Sequence, residues 1–105
     1  MDETRFEKVA TDELEALEEA LRDVDGVDVD LANGILAVEL DDELPNLVVN
    51  SHAAARQIWV AANLAAAHFS FDEKTGRWFD TRSGGELRAH LSAQLAQRLG
   101  RPVKL

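Results

Sequence analysis

The sequence contains no cysteine, which removes several classes of chemistry at once. Without thiols the chain forms no disulfides, carries no thiolate nucleophile and cannot hold zinc or an iron–sulfur cluster through cysteine. It also has no apolar run long enough to cross a bilayer. The opening residues Met1-Asp2-Glu3-Thr4 are acidic, unlike a secretory signal or an Arg-rich transit peptide. We therefore expect a cytoplasmic protein.

Basic residues are scarce in the first half of the chain. Residues 1–50 hold 16 acidic and 3 basic residues, whereas residues 51–105 hold 4 acidic and 8 basic residues. An acidic half repels nucleic acid and anionic membranes, and it suits cations and basic protein surfaces. The alternative is that the acidity only keeps a small protein soluble, and charge alone favours that interpretation. The length of 105 residues predicts one domain, residues 1–105, which we expect to be monomeric.

The spacing of apolar residues over positions 3–25 predicts one long amphipathic helix. Apolar side chains recur at steps of three and four and fall in one arc at 100° per residue. The acidic residues roughly opposite that arc are Asp12, Glu15, Glu19 and Asp23. Glu13 falls at the edge of the apolar arc, and Asp25-Gly26 ends the helix.

Alternation of apolar and polar residues then predicts six strands. We place them at 27–31, 35–40, 47–50, 57–61, 68–72 and 78–80. Asn33-Gly34 is a strong hairpin signal between the first two. In the fourth, burying Ile58 and Val60 puts Gln57 and Trp59 on the other face. Trp78 is expected in the core.

A second helix ends the chain. Ser83 and Glu86 have capping-box spacing, and Gly100 and Pro102 stop the helix. Its apolar stripe is Leu87, Leu91, Leu95 and Leu99. The tail 103–105 could lie in the groove between the helices. Two amphipathic helices cover only one face of an antiparallel meander, so we predict an α+β two-layer sandwich with the other sheet face in water.

Several segments of the sequence resemble those of one protein family. The stretch 50–59 reads NSHAAARQIW, with an asparagine followed by glutamine, a hydrophobic residue and tryptophan. His68-Phe69 follows, then Trp78 with Asp80-Thr81-Arg82-Ser83-Gly84, and finally the ending 100–103, GRPV. In this order and on these elements, the motifs resemble the frataxin family, and its bacterial branch in particular, over nearly the whole chain.

The resemblance implies iron binding at a group of carboxylates that we call the acidic ridge. Its members are Glu15, Glu18, Glu19, Asp23, Asp25, Asp28 and Asp30. Carboxylates are hard oxygen ligands that suit iron, calcium or magnesium, but without a ligand loop the sites would be exposed and weak. The alternative is a solvated helix face followed by edge charges that prevent sheet aggregation. The resemblance favours weakly and exchangeably bound Fe²⁺ or Fe³⁺.

The family also implies partner binding through the open sheet face, at Asn50, Gln57, Trp59 and His68. An exposed tryptophan is a common interface anchor, although it could instead pack on neighbouring side chains of that face. His52 is expected in a loop, and either His52 or His68 could join an iron or partner site. Three scattered histidines are more simply explained as surface residues, and His90 is expected on the surface.

By resemblance the partners are the cysteine desulfurase and the iron–sulfur scaffold protein, and the chain is an iron-binding regulator or iron donor without enzyme activity. No nucleophile elbow or phosphate loop is present. One alternative is a ferroxidase and iron-storage protein, although the Glu-x-x-His motifs of closed di-iron centres are missing. The other is an adaptor of the assembly complex that never binds iron.

Overall fold

The computed structural model describes residues 1–62 and 65–105. Within these ranges the chain forms two helices and six strands, in the order α1 (Glu3–Arg22), β1 (Val27–Ala32), β2 (Ile35–Leu40), β3 (Leu47–His52), β4 (Gln57–Ala62), β5 (Ala65–Asp72), β6 (Arg77–Asp80) and α2 (Leu87–Leu99). The strands form one antiparallel sheet in sequence order. None of the helices in the described ranges is long and apolar enough to span a membrane.

The predicted α+β two-layer sandwich is confirmed. The apolar stripes of α1 and α2 and the inward residues of the strands form one buried cluster, which includes Phe6, Leu36, Ile58, Trp78 and Leu95. Alternate residues of the strands point away from that cluster. The helices therefore cover one face of the sheet and leave the other, which we call the open face, for contacts with solvent or partners.

The first hairpin forms as its sequence predicts. Asn33 and Gly34 both take positive φ, at 53° and 74°, which a two-residue type I′ turn requires. The turn sets Ala32 opposite Ile35 and fixes the register of β1 against β2. A side chain on Gly34 would also meet Ser51 Oγ at 2.7 Å, so glycine is needed there for space as well as for φ.

Helix α1 is shorter than predicted and ends at Arg22 instead of residue 25. The N–H groups of Asp23 and Val24 bond to the carbonyls of Ala20 and Leu21, three residues back, which tightens the last turn. Asp23 is the C-cap. Asp23 and Asp25 therefore lie after the helix and not on its regular face.

The predicted capping box of the second helix is wrong. Ser83 Oγ accepts a hydrogen bond from Gly85 N–H, and Gly84 takes a φ of 76°, so the chain turns here and the helix starts later. Glu86 is the N-cap, and its carboxylate accepts bonds from the N–H groups of Arg88 and Ala89. At the other end Gly100 caps the helix with a φ of 72°, as expected.

Polar contacts tie the helices and the tail together. Glu13, at the edge of the apolar arc as predicted, accepts two hydrogen bonds from the Arg88 guanidinium, at 3.1 and 2.9 Å. Val103 and Leu105 pack against the core, and Leu105 N–H donates to Ser92 Oγ of α2. The predicted position of the tail is consistent with these contacts.

Candidate functional site

The proposed partner residues come together on the open face. Strand register places Asn50 opposite Trp59 and Trp59 opposite His68, so that β3, β4 and β5 contribute one row. The residues on either side of Trp59 in the sequence are buried against the helices. The structure therefore agrees with the predicted placement of Gln57 and Trp59 on the face opposite the core.

Trp59 is the middle ring of a three-ring stack. The imidazole of His52 lies 3.9 Å from the indole, centroid to centroid, with an interplanar angle of 13°. The imidazole of His68 lies at 4.2 Å and 14°. The indole Nε1–H donates a 2.8 Å hydrogen bond to Gln57 Oε1. Trp59 is half-buried as a result, so it packs on neighbouring side chains of the open face while remaining accessible along its edge.

The turn between β3 and β4 sets up this stack. Arg56 takes a φ of 54°, and its N–H bonds to the carbonyl of Ala53, which its guanidinium also contacts. The turn sets His52 opposite Gln57, one diagonal step from Trp59. Ala55 N–H donates to His52 Nδ1 at 3.3 Å. The turn backbone thus holds one outer ring of the stack.

His52 is a site residue that sequence reasoning misplaced. It was expected in a loop, but it is the last residue of β3. The available signal was its spacing: His52 lies two residues after Asn50 and so shares its face, just as Gln57 shares the face of Trp59. Pairing the two strands through a four-residue turn would have brought His52 to the indole.

The acidic ridge is less organised than the stack. Six of its seven carboxylate side chains belong to exposed residues, namely Glu15, Glu19, Asp23, Asp25, Asp28 and Asp30. Glu18 is the exception, because its carboxylate is 3.1 Å from the Arg22 guanidinium and its side chain is only 22% exposed. Among the residues that the structure describes, no three histidine, aspartate or glutamate side chains are close enough to hold a metal ion together.

The acidic surface extends from the ridge onto β2, at a residue that the predicted ridge did not include. The β1–β2 register sets Asp28 opposite Glu39, and both are exposed on the open face. Like charges directly opposite each other repel. Asp28 and Glu39 also line an open hollow of about 450 Å³ with Asp41 and Asp42. Glu39 could have been found from the Asn33-Gly34 hairpin, which fixes this pairing.

Asp42, which lines the same hollow, is paired with a basic side chain. Arg98 of α2 donates to both of its oxygens, at 2.6 and 2.9 Å, and the Arg98 side chain is only 5% exposed. This hydrogen-bonded guanidinium holds the pKa of Asp42 below its usual range. The pair fastens the β2–β3 loop to α2, so Asp42 has a structural partner that the ridge carboxylates other than Glu18 lack in the described part of the chain.

Comparison with known proteins agrees with this architecture. The sequence matches the frataxin-like domain family over residues 1–101. The iron–sulfur cluster assembly protein CyaY of Cupriavidus necator is 35% identical, in an alignment that covers 100% of this chain and 96% of that protein. The protein of the same name from Dechloromonas aromatica is 36% identical, with 100% of this chain and 99% of the relative covered.

Solved structures show the same fold. A frataxin from Psychromonas ingrahamii superimposes with a TM-score of 0.90 at 26% identity, covering 99% of this chain and 97% of that one. Yeast frataxin gives a TM-score of 0.74 at 23% identity, with 92% and 82% covered, and this likeness concerns the fold alone. From the family match and the full-length relatives, the chain belongs to the frataxin family, in its bacterial branch.

Proposed function

We propose that this chain acts in iron–sulfur cluster assembly, as an iron-binding regulator or iron donor that binds the cysteine desulfurase and scaffold complex. The observation that carries the assembly role is similarity over the whole chain to relatives named as iron–sulfur cluster assembly proteins. The acidic ridge and the open-face row support the two binding activities separately. A pulldown from the native cytosol with and without iron tests the role, and recovery of neither desulfurase nor scaffold would contradict it.

Iron binding is proposed for the exposed carboxylates of the ridge. Glu19 and Asp23 lie four residues apart at the end of α1, are exposed, and form no ion pair within the described residues. Pairs of carboxylates with water as the remaining ligands suit hard cations, but they bind weakly because little of the coordination shell is fixed. We expect several weak sites for divalent and trivalent cations, more than one ion per chain.

A matched pair of variants tests the position of these sites. Glu19→Gln with Asp23→Asn removes two charges at the ridge, whereas Glu3→Gln with Glu7→Gln removes two exposed charges at the opposite end of α1. Titration with Fe²⁺ under anaerobic conditions, followed by NMR, should show weaker binding only for the first variant. Equal weakening in both variants would mean that net charge alone attracts the metal.

Partner docking is proposed to use both regions. The ridge would steer a basic surface of the desulfurase by long-range attraction, which mainly raises the association rate and is screened by salt. Asn50, Gln57, Trp59 and His68 would make the short-range contacts. The ridge variant should therefore slow association in low salt, while Trp59→Ala should speed dissociation. Surface plasmon resonance against the purified desulfurase–scaffold complex separates the two effects.

The proposal includes a monomeric, cytoplasmic, non-enzymatic protein. A ferroxidase would oxidise Fe²⁺ catalytically, at a closed di-iron centre with several ligands fixed around the metal. The proposed protein has no such catalytic activity. Oxygen consumption after addition of Fe²⁺ should therefore not exceed that of free iron at equal concentration. Catalytic oxygen uptake by the chain would overturn this part of the proposal.

A further inference from the structure

Both faces of the Trp59 ring are covered before any partner arrives. His52 belongs to β3 and His68 to β5, and β4, which carries Trp59, lies between them. The two imidazoles therefore approach the indole from opposite sides. Their centroid distances of 3.9 and 4.2 Å and interplanar angles of 13° and 14° are those of stacked rings. Only the edge of the indole remains open for contact.

Hydrogen bonds fix the stack in addition to the ring contacts. Trp59 Nε1–H is bound to Gln57 Oε1 at 2.8 Å, and His52 Nδ1 accepts from Ala55 N–H at 3.3 Å. The indole thus has a partner on each face and at its nitrogen. A side chain held in one orientation loses less conformational entropy when it binds than a mobile one.

We propose that His52 and His68 are positioning residues that hold Trp59 on edge, so that a partner engages the edges of the three stacked rings and never an indole face. The inference rests on the proposed role of Trp59 in partner docking. A partner guanidinium or aromatic ring that stacked on Trp59 would first have to displace an imidazole. The structure thus disfavours stacking of a partner group on a face of Trp59, because an imidazole already covers each face.

The chemistry of the exposed edge indicates which partner group fits. Aromatic ring edges carry partial positive charge. Gln57 uses its carbonyl oxygen for the indole, which leaves its amide nitrogen as a donor, and the Asn50 amide lies opposite Trp59 in the same row. Ring edges and amide N–H groups together favour oxygen acceptors. The partner segment is expected to present carbonyl or carboxylate oxygens to this row.

The test combines ring dynamics with affinity for the desulfurase–scaffold complex, in the full chain. His52→Ala and His68→Ala each remove one outer ring, and His52→Phe keeps a stacked ring without imidazole nitrogens. His90→Ala is the matched control, because His90 is on α2 and contacts Phe69 from the covered side. The substituted residues of the stack lie on the open face, so the core should stay intact. A thermal melt of each variant checks that it folds.

We expect ¹⁵N relaxation of the Trp59 Nε1–H to show increased fast motion in His52→Ala and His68→Ala. Each should weaken partner binding by about 2- to 12-fold, the range expected when one side chain must be ordered on binding. His52→Phe should restore both the order and the affinity, and His90→Ala should change neither.

Two results would overturn the inference, and they are distinguishable. If Trp59→Ala abolishes binding while His52→Ala and His68→Ala bind as well as the parent, only the positioning role is wrong. Tighter binding by the two histidine variants would mean that the partner uses an indole face. If Trp59→Ala also binds normally, the proposed docking surface itself is wrong.

Discussion

The two tryptophans of this chain lie on opposite faces of one sheet and are held by different contacts. Trp78 is 1% exposed and meets the Phe6 ring edge-on at 6.0 Å, between the sheet and the helices. Trp59 is half-buried between two imidazole rings on the open face. Side chains of the covered face are held in one orientation by burial, which stabilises the fold. On the open face the rings are held by stacking, which leaves them accessible to a partner.

The largest effect should come from the covered face. Trp78→Ala is expected to cost about 3–5 kcal/mol and Leu95→Ala about 2–5 kcal/mol of unfolding free energy, because each leaves a cavity in a packed core. Urea denaturation measures both. Gln97→Ala, on the exposed side of α2, is the control and should stay near the parent. A melt unchanged by Leu95→Ala would contradict the placement of α2.

Trp59→Ala should separate binding from stability. Loss of two stacked pairs is expected to cost about 1–3 kcal/mol of unfolding free energy, less than the loss of Trp78. The same change should cost about 2 kcal/mol or more in binding the desulfurase–scaffold complex, as expected for an aromatic anchor. Denaturation and calorimetry on one preparation compare the two. If Trp59→Ala unfolds the domain, the distinction between the two faces is wrong.

Neutralising ridge charges should raise stability while weakening function. Glu15, Glu19 and Asp23 follow one another at four-residue steps, and Asp23 places a negative charge at the C-terminal end of α1. Changing them to Gln, Gln and Asn should add about 1 kcal/mol in total and raise Tm by about 4–8 °C. Added salt should reduce the difference by screening. Iron binding and desulfurase affinity should fall in the same variant.

Glu18 supplies the contrast within the ridge. Because its carboxylate pairs with Arg22, Glu18→Gln should lower stability slightly, by about 0.3–0.5 kcal/mol, as for exposed i,i+4 ion pairs. Differential scanning calorimetry of the single and triple variants gives the two signs. If the single and the triple variant shift Tm in the same direction, pairing within the ridge has no measurable effect.

The smallest effect is expected at Asp42 and depends on pH. Arg98 lowers the pKa of Asp42 in the folded protein, so the pair adds stability above the unfolded carboxyl range near pH 4. That contribution is lost as pH falls through the lower pKa of folded Asp42. Thermal melts from roughly pH 6 to 3 should therefore fall less steeply for Asp42→Asn than for the parent. An unchanged slope in Asp42→Asn would contradict this role of the ion pair.

Local spacing in the sequence determined most of the fold. The step of three and four residues in α1, the alternation in β2 and β4, and the Asn33-Gly34 turn each select one backbone conformation. The same alternation assigned Trp59 to the open face and its neighbours to the core. Such patterns are informative because helix and strand geometry fix which side chains share a face.

The sequence alone could not choose between local alternatives that depend on distant contacts. Ser83 and Glu86 fit a capping box, yet Glu86 forms a bridge to Phe79 of β6, and Gly84 turns the chain before the helix begins. Tertiary structure likewise joined Asp42 to Arg98 and Glu13 to Arg88 across 56 and 75 residues. Spacing carries no information about such pairs.

The candidate site divides in the same way. The sequence determined that the ridge is acidic and that Trp59 faces away from the core, because charge and alternation are local properties. Only tertiary structure decided that the imidazoles of His52 and His68 stack on the two faces of Trp59. These contacts depend on the register of neighbouring strands, since a shift of one residue would send each side chain to the opposite face.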